Sequence, residues 1–339
     1  MTPLVPPPPW RRALVTGGAG FLGSALCERL LDGGVDVDCA DRVLDTPRLD
    51  HLGACPGFRF LPCDVAAPDA PDKLDGPYDV VLHLAWPDPG ECSADPLRAM
   101  ETGSDGTRRA LTVAHRDGAR LLLTSTSEVY GNPRSHPQRE DYPGYVDPVG
   151  ARSPNAESRR FAEAMVTAHA AAHGTDAGIV RLFSGYGPRM PAHEGRAVPT
   201  FIRQALAGEP LTVTGDGSQT RCPCYVDDLV EGILAVAASR SVRPVNVGGT
   251  QEMTVENLAR SVLDMTGSRS PVRFVERPPG DPEHLRPDTT LARELLGWRP
   301  RVSWADGLRT TIAYFAGPAA DRAQHPQDPA ARGSGPVQG

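Results

Sequence analysis

The sequence has 339 residues, enough for one large domain with a smaller partner. Hydrophobic residues make up 40% and charged residues 23%, a balance that excludes a wholly disordered chain. With 35 Lys and Arg against 42 Asp and Glu, the net charge of −7 excludes a general nucleic-acid binder, so any phosphate ligand must be held by local groups.

The chain opens on MTPLVPPPPWRR, where Pro6 to Pro9 favour an extended arm over residues 1–10 rather than a hydrophobic signal core. The fold is expected from Arg11. Short apolar runs then alternate with helical periods: ALVTG, FLGSALCERLLDGG, VDVDCAD, FRFLPCD, DVVLHLA, a helix over Pro96 to Asp117, RLLLTST, a helix over Ala156 to His173, and AGIVRLF. Strands apolar on both faces, each followed by a helix, predict an α/β fold: a doubly wound parallel sheet of Rossmann type. After Tyr186 the pattern loosens and gains Gly and Pro, which predicts a smaller C-terminal substrate lobe over 186–220 and 249–316. The segment 221–248, with VDDLVEGILAVA and PVNVG, returns to the domain begun at 11–185. From Gly317 the residues lack an apolar period, and 317–339 read as a disordered tail. No apolar run reaches the roughly 18 residues of a membrane span, so a cytoplasmic protein without a membrane partner is expected. The seven cysteines are scattered, and Cys222 with Cys224 lacks a second matching pair, so neither a disulfide framework nor a metal is expected.

Strand ALVT runs into Gly17, Gly18, Ala19, Gly20, Phe21, Leu22 and Gly23, and a helix follows at once. This GxxGxxG spacing between strand and helix supplies a tight turn, backbone N–H groups open to a pyrophosphate, and close helix packing, which predicts a bound dinucleotide. Asp41 ends the second strand where a carboxylate meets the ribose hydroxyls, and it repels a 2′-phosphate; NAD is therefore expected over NADP, with Arg42 softening the preference. Asp64 and Val65, at the end of the third strand, are placed to flank the adenine, and Leu84 lies at the cofactor edge of the fourth. His83 reads as a packed structural histidine.

The fingerprint, HLA at His83 to Ala85, STSEVYG at Ser125 to Gly131 and YGPRM at Tyr186 to Met190 together resemble the extended short-chain dehydrogenases/reductases, the NAD-dependent epimerase/dehydratase family. SHPQRE near His136, GDGSQTR ending at Arg221, YVDDLV at Tyr225 to Val230, RPD at Arg286 to Asp288 and LGWRP at Leu296 to Pro300 are similar to the UDP-glucuronic acid decarboxylases, the UDP-xylose synthases. The resemblance spans roughly Arg11 to Phe315. It implies oxidation of a UDP-sugar at C4, loss of the C5 carboxylate as CO2 from the β-keto acid, and reduction of the 4-keto pentose. It further implies Thr126 beside the reacting hydroxyl, Ser127 and Glu128 near C5, and Ser184, Arg189, Arg221, Tyr225 and Arg286 toward the substrate, with Arg221 on the UDP phosphates. A hydroxyl at Ser127, where related dehydratases carry Asp, favours decarboxylation over loss of water. The helices over Pro96 to Asp117 and Ala156 to His173 are implied to pair with their copies in a homodimer.

The same resemblance implies a Tyr-x-x-x-Lys pair one helical turn apart, but the aligned residues here are Asn155 and Arg159. An amide is no general base near neutral pH; Arg159 keeps the charge and can reach the nicotinamide ribose without readily yielding a proton. Leu285 stands where the family's arginine near the substrate carboxylate is expected, with Arg286 one place later, and Ser184 and Gly103 stand where Asn is usual. Three readings stay open: oxidation with another base, Glu128 ahead of the structural Tyr130; a different epimerase or dehydratase reaction on a related nucleotide-sugar; or a catalytically silent partner that binds NAD and a UDP-sugar.

Overall fold

The computed structural model describes residues 10–43, 47–87, 89–191 and 195–317, so all of the expected arm and tail except Trp10 and Gly317 lies outside the described residues. The chain begins β1 (Arg12–Thr16), α1 (Phe21–Asp32), β2 (Asp36–Asp41), β3 (Phe58–Pro62), α2 (Ala70–Lys73) and β4 (Val80–His83). It continues through α3 (Pro89–Ala94), α4 (Pro96–Glu101), a π-helical turn (Thr102–Gly106), α5 (Thr107–Asp117), β5 (Arg120–Thr126), a 3-10 turn (Ser127–Tyr130), α6 (Ser153–His173) and β6 (Ala177–Leu182). The second half carries β7 (Gly185–Tyr186), α7 (Ala197–Ala207), β8 (Leu211–Thr214), β9 (Thr220–Arg221), β10 (Cys224–Tyr225), α8 (Val226–Ala238) and β11 (Pro244–Val247). Then follow β12 (Met253–Thr254), α9 (Val255–Thr266), β13 (Val272–Val275), β14 (His284–Leu285), α10 (Thr290–Leu296) and α11 (Trp304–Phe315).

Seven strands form one sheet in the order β3-β2-β1-β4-β5-β6-β11, every neighbouring pair parallel. The fold is thus doubly wound, and β11 joins the sheet beside β6. Successive strand side chains alternate between faces. Leu14, Val81, Leu121 and Leu123 pack with Leu111 of α5 and with Ala162 and Val166 of α6. Val15, Leu82, Leu122 and Val180 pack on the other side with Leu26 and Leu30 of α1 and with Leu229 and Ile233 of α8. Burial on both faces accounts for the unbroken apolar runs of these strands.

The helix expected over Pro96 to Asp117 is instead α4 and α5 joined by the π-helical turn. Gly103 and Gly106, both weak helix formers, sit in that turn. The other expected helix starts earlier, at Ser153, because Pro154 fits its first turn, and it ends where Gly174 takes φ +68°.

Between these layers His83 is fully buried, its Nδ1 2.7 Å from Thr16 Oγ1 and its Nε2 3.3 Å from Thr107 Oγ1. Burial, aided by the nearby Arg159 cation, pulls its pKa down to about 3, so the ring is a neutral strut between β1 and α5. Above the usual histidine pKa of about 6.5, the ring is neutral both folded and unfolded; as pH falls below that value the unfolded state alone gains a proton. Between pH about 6.5 and about 3 this one group should therefore remove roughly 1.4 kcal/mol of stability per pH unit. Urea titrations across that window should show the acid slope reduced by about this amount in His83→Gln.

Candidate active site

The sheet order reverses between β1 and β4, and there a cleft of about 900 Å³ opens at the carboxyl ends of the strands. Gly17 holds φ +69°, and a Cβ on it would lie 2.7 Å from the backbone of Leu84 and Ala85. A Cβ on Gly23 would meet Gly17 O at 2.2 Å, so α1 packs directly on the turn. A Cβ on Gly20 meets only Gly17 O, at 3.2 Å; what a side chain there would fill is the cleft, ahead of the free N–H groups that begin α1. The remaining expected cofactor residues, Phe21, Leu22, Asp41, Arg42, Asp64, Val65, Leu84 and Arg159, line the same cleft.

Asp41 accepts from Ala19 N at 3.0 Å and from Val43 N at 3.3 Å, which ties the end of β2 to the glycine turn. Burial raises its pKa against the opposing pull of these N–H groups. Arg42 is paired with Glu91 at 3.2 Å, and Asp64 is bound by Ala66 N and by Arg98.

At the other end of the cleft β5 delivers Thr126 into the 3-10 turn, where its hydroxyl accepts from Glu128 N at 3.4 Å and caps the turn carrying Ser127 and Glu128. Tyr130 anchors that turn from beneath. Its hydroxyl donates to Asn246 Oδ1 and accepts from Arg181, each at 2.8 Å, and burial lifts its pKa to about 12. Glu128 is left at the cleft wall, held by two groups of the α6 entry: Arg152 Nη2 donates to Oε1 and Asn155 Nδ2 to Oε2, both at 2.7 Å. One turn on, Arg159 donates to Thr124 O at 3.2 Å and lies with its guanidinium carbon 3.8 Å from the centre of the Trp86 ring. Burial pulls its pKa down to about 9, which still leaves it cationic at neutral pH. Its Nε, Trp86 Nε1 and Ser125 Oγ are buried without partners.

The glycine cradle and the row of unsatisfied polar atoms fit an extended, acceptor-rich ligand such as a dinucleotide. In the second half of the cleft, Arg221 is paired with Asp281 at 2.9 Å, and Ser184, at φ 37°, lines the wall with Leu285. Burial pulls the pKa of Arg221 down, against the stabilising pull of Asp281.

Three expected substrate residues are placed elsewhere. Arg189 turns to helix α1, pairing with Glu28 at 2.6 Å and meeting His51 at 3.1 Å. Tyr225 is buried in the core edge-on to Tyr186, their ring centres 5.7 Å apart. Arg286 leaves the cleft wall to Leu285 and reaches Glu252 at 3.4 Å. In each case a partner outside the cleft satisfies the side chain. Conversely, Trp86, Arg152 and Asp281 line the site although no sequence motif names them, and Ser125, the first residue of STSEVYG, joins them without an expected role. Arg152 sits three residues before Asn155 and Trp86 directly follows HLA, so the motifs flanked both.

The model of the NAD dependent epimerase/dehydratase family matches residues 13–248. Among curated proteins, UDP-glucuronic acid decarboxylase 1 of Danio rerio is 41% identical over 309 residues, covering 90% of this chain and 73% of that protein. Among solved structures, the dTDP-glucose 4,6-dehydratase DesIV of Streptomyces venezuelae, with NAD bound, superposes with a TM-score of 0.83 at 30% identity, covering 90% of this chain and 96% of that one. A UDP-glucuronic acid 4-epimerase from Bacillus cereus, in complex with UDP-glucuronic acid and NAD, gives a TM-score of 0.81 at 28% identity, covering 89% and 98%.

The cradle predicts opposite phenotypes for two glycines. Gly17→Ala should cost at least about 3 kcal/mol in urea unfolding, since it combines a positive φ with a clash against fixed backbone. Gly20→Ala should stay within about 1 kcal/mol of the parent while calorimetry shows dinucleotide affinity falling by more than about ten-fold.

Proposed function

The chain belongs to the NAD dependent epimerase/dehydratase family, and on that premise we propose that it acts on UDP-glucuronate, oxidising the sugar at C4 and releasing the C5 carboxylate as CO2. The observation that carries this reading is the placement of Glu128, with Thr126 and Ser127, at the far end of the same cleft that the glycine turn opens. The relatives named decarboxylases support the substrate.

NAD, when bound, supplies the two-electron oxidation at C4 and its later reversal. Gly17, Gly20, Phe21, Leu22 and Gly23 would hold the pyrophosphate segment, Asp41 and Arg42 the adenosine ribose, Asp64 and Val65 the adenine, and Leu84 and Arg159 the nicotinamide side. Asp41 favours NAD over NADP by repelling a 2′-phosphate. Arg221 would exchange Asp281 for the UDP phosphates, with Ser184 on the sugar.

Glu128 takes the proton of the C4 hydroxyl, Thr126 orients that hydroxyl, and Ser127 faces C5. Once C4 is a ketone, the bond from C5 to the carboxylate breaks, its electron pair moves into the enolate at C4, and C5 is protonated afterwards. Asn155 has no proton to trade near neutral pH; it fixes one oxygen of Glu128 while Arg152 fixes the other. Because both oxygens are already engaged, Glu128 must release a partner before it can take the proton, and turnover should lie on the order of 10² to 10⁴ below that of a relative with Tyr and Lys at the positions of Asn155 and Arg159.

Incubation with NAD and UDP-glucuronate, followed by mass spectrometry, should reveal a UDP-4-keto-pentose or UDP-xylose, and Glu128→Gln should abolish CO2 release while UDP binding persists. Loss of water would instead mark a dehydratase, and unchanged substrate with binding intact a silent partner protein. The second half of the proposal is a homodimer through α4, α5 and α6, whose packed surface leaves Leu97 74%, Met100 45% and Phe161 54% exposed. Light scattering should give twice the chain mass for the parent and a monomer for Leu97→Glu with Phe161→Glu.

A further inference from the structure

Arg159 stands at the wall of the cleft with a ring, rather than a carboxylate, against its guanidinium. A guanidinium is broad and flat, and it needs a flat surface on one side if its other side is to face a ligand. That surface is Trp86, 3.8 Å away, and it exists because of a residue on a third element. Gly103, in the π-helical turn, has no side chain; a Cβ there would stand 2.8 Å from Trp86 Cζ3 and 2.7 Å from Ser158 Cβ, on the residue next to Arg159. The indole therefore occupies the space that any larger residue at position 103 would claim. Its outer rim lies against His83, ring centres 6.1 Å apart, and His83 is itself fixed between Thr16 and Thr107. The stack is thus backed by the core of the sheet, and Thr124 O of β5 takes one Arg159 N–H from the side.

We propose that Trp86 is a positioning residue for cofactor binding: seated in the gap left by Gly103, it presents the Arg159 guanidinium to the nicotinamide side of the cleft. This rests on the reading of Arg159 as a cofactor-binding group. Cut to a small residue, Trp86 would leave the cation with one protein hydrogen bond and free to rotate away. Phe in its place keeps a face for the cation, although a weaker one than indole.

The test is a double-mutant cycle on NAD affinity, measured by calorimetry on Trp86→Ala, Arg159→Ala and the double variant, with Trp86→Phe as the conservative control. Arg159→Ala is expected to weaken NAD roughly ten-fold, Trp86→Ala nearly as much, and the double variant no more than Arg159→Ala alone; Trp86→Phe should keep most of the affinity. A merely structural Trp86 would weaken binding additively in the Arg159→Ala background, or leave it unchanged in the single variant, and either result overturns the proposal while leaving Arg159 at the cofactor. If Arg159→Ala itself binds NAD as the parent does, the reading of Arg159 falls, and this proposal with it. Gly103→Ala gives an independent check: a methyl group there displaces the indole, so it should weaken NAD as Trp86→Ala does, and restoring room with Gly103→Ala plus Trp86→Phe should recover part of the loss.

Discussion

Everything at the site depends on how closely the first turn approaches the fourth strand. No side chain fits at Gly17, whose would-be Cβ lies 2.7 Å from the Leu84 and Ala85 backbone, so β1 and β4 end side by side with nothing between them. From that contact the chain winds one way to β2 and β3 and the other way to β5, β6 and β11. The crevice between the two directions is a consequence of that reversal. The turn that fills its floor is stapled to β2 by Asp41, which accepts from Ala19 N.

Three of the cations that line the cleft rest on carboxylates. Arg221 rests on Asp281, Arg42 on Glu91 and Arg152 on Glu128. Each cation is therefore compensated before a ligand arrives, which lowers the cost of holding positive charge in a partly buried place. Glu128 differs from the other carboxylates of this set in having a neutral second partner, Asn155, on its other oxygen.

The parts of this arrangement that were legible in the sequence are the local ones. The 17–20–23 glycine spacing and Asp41 at a strand end are set by a few consecutive residues, and periodicity revealed the strands because both faces of the sheet are buried. A motif fixes where the backbone goes, whereas a long side chain goes to whichever partner tertiary packing supplies, and Arg189 and Arg286 rest on Glu28 and Glu252. Tyr225 follows the same rule: its ring packs on Tyr186 of a neighbouring strand. The ties from Arg152 and Asn155 to Glu128 join segments more than twenty residues apart, and no local pattern announces them.

The residues at positions 155 and 159 depart from the Tyr and Lys that the resemblance implies, and their surroundings bear on what that departure means. A buried polar group without a partner costs about 1 to 3 kcal/mol, and the cluster still carries three such atoms, Arg159 Nε, Trp86 Nε1 and Ser125 Oγ, which face the cleft rather than the protein's own acceptors. Here Asn155 makes a 2.7 Å bond to the acid nearest the expected chemistry, and Arg159 has a ring beneath it and a carbonyl beside it. The ring fits only because position 103 is glycine. Arg159 of α6, Gly103 of the π-helical turn and Trp86 of the loop after β4 thus form one packed set, and Asn155 with Glu128 a second one beside it. Arg159 is therefore held at the cleft wall by packing on one face and a carbonyl at its edge, and its position is set by the glycine at 103 as much as by its own helix.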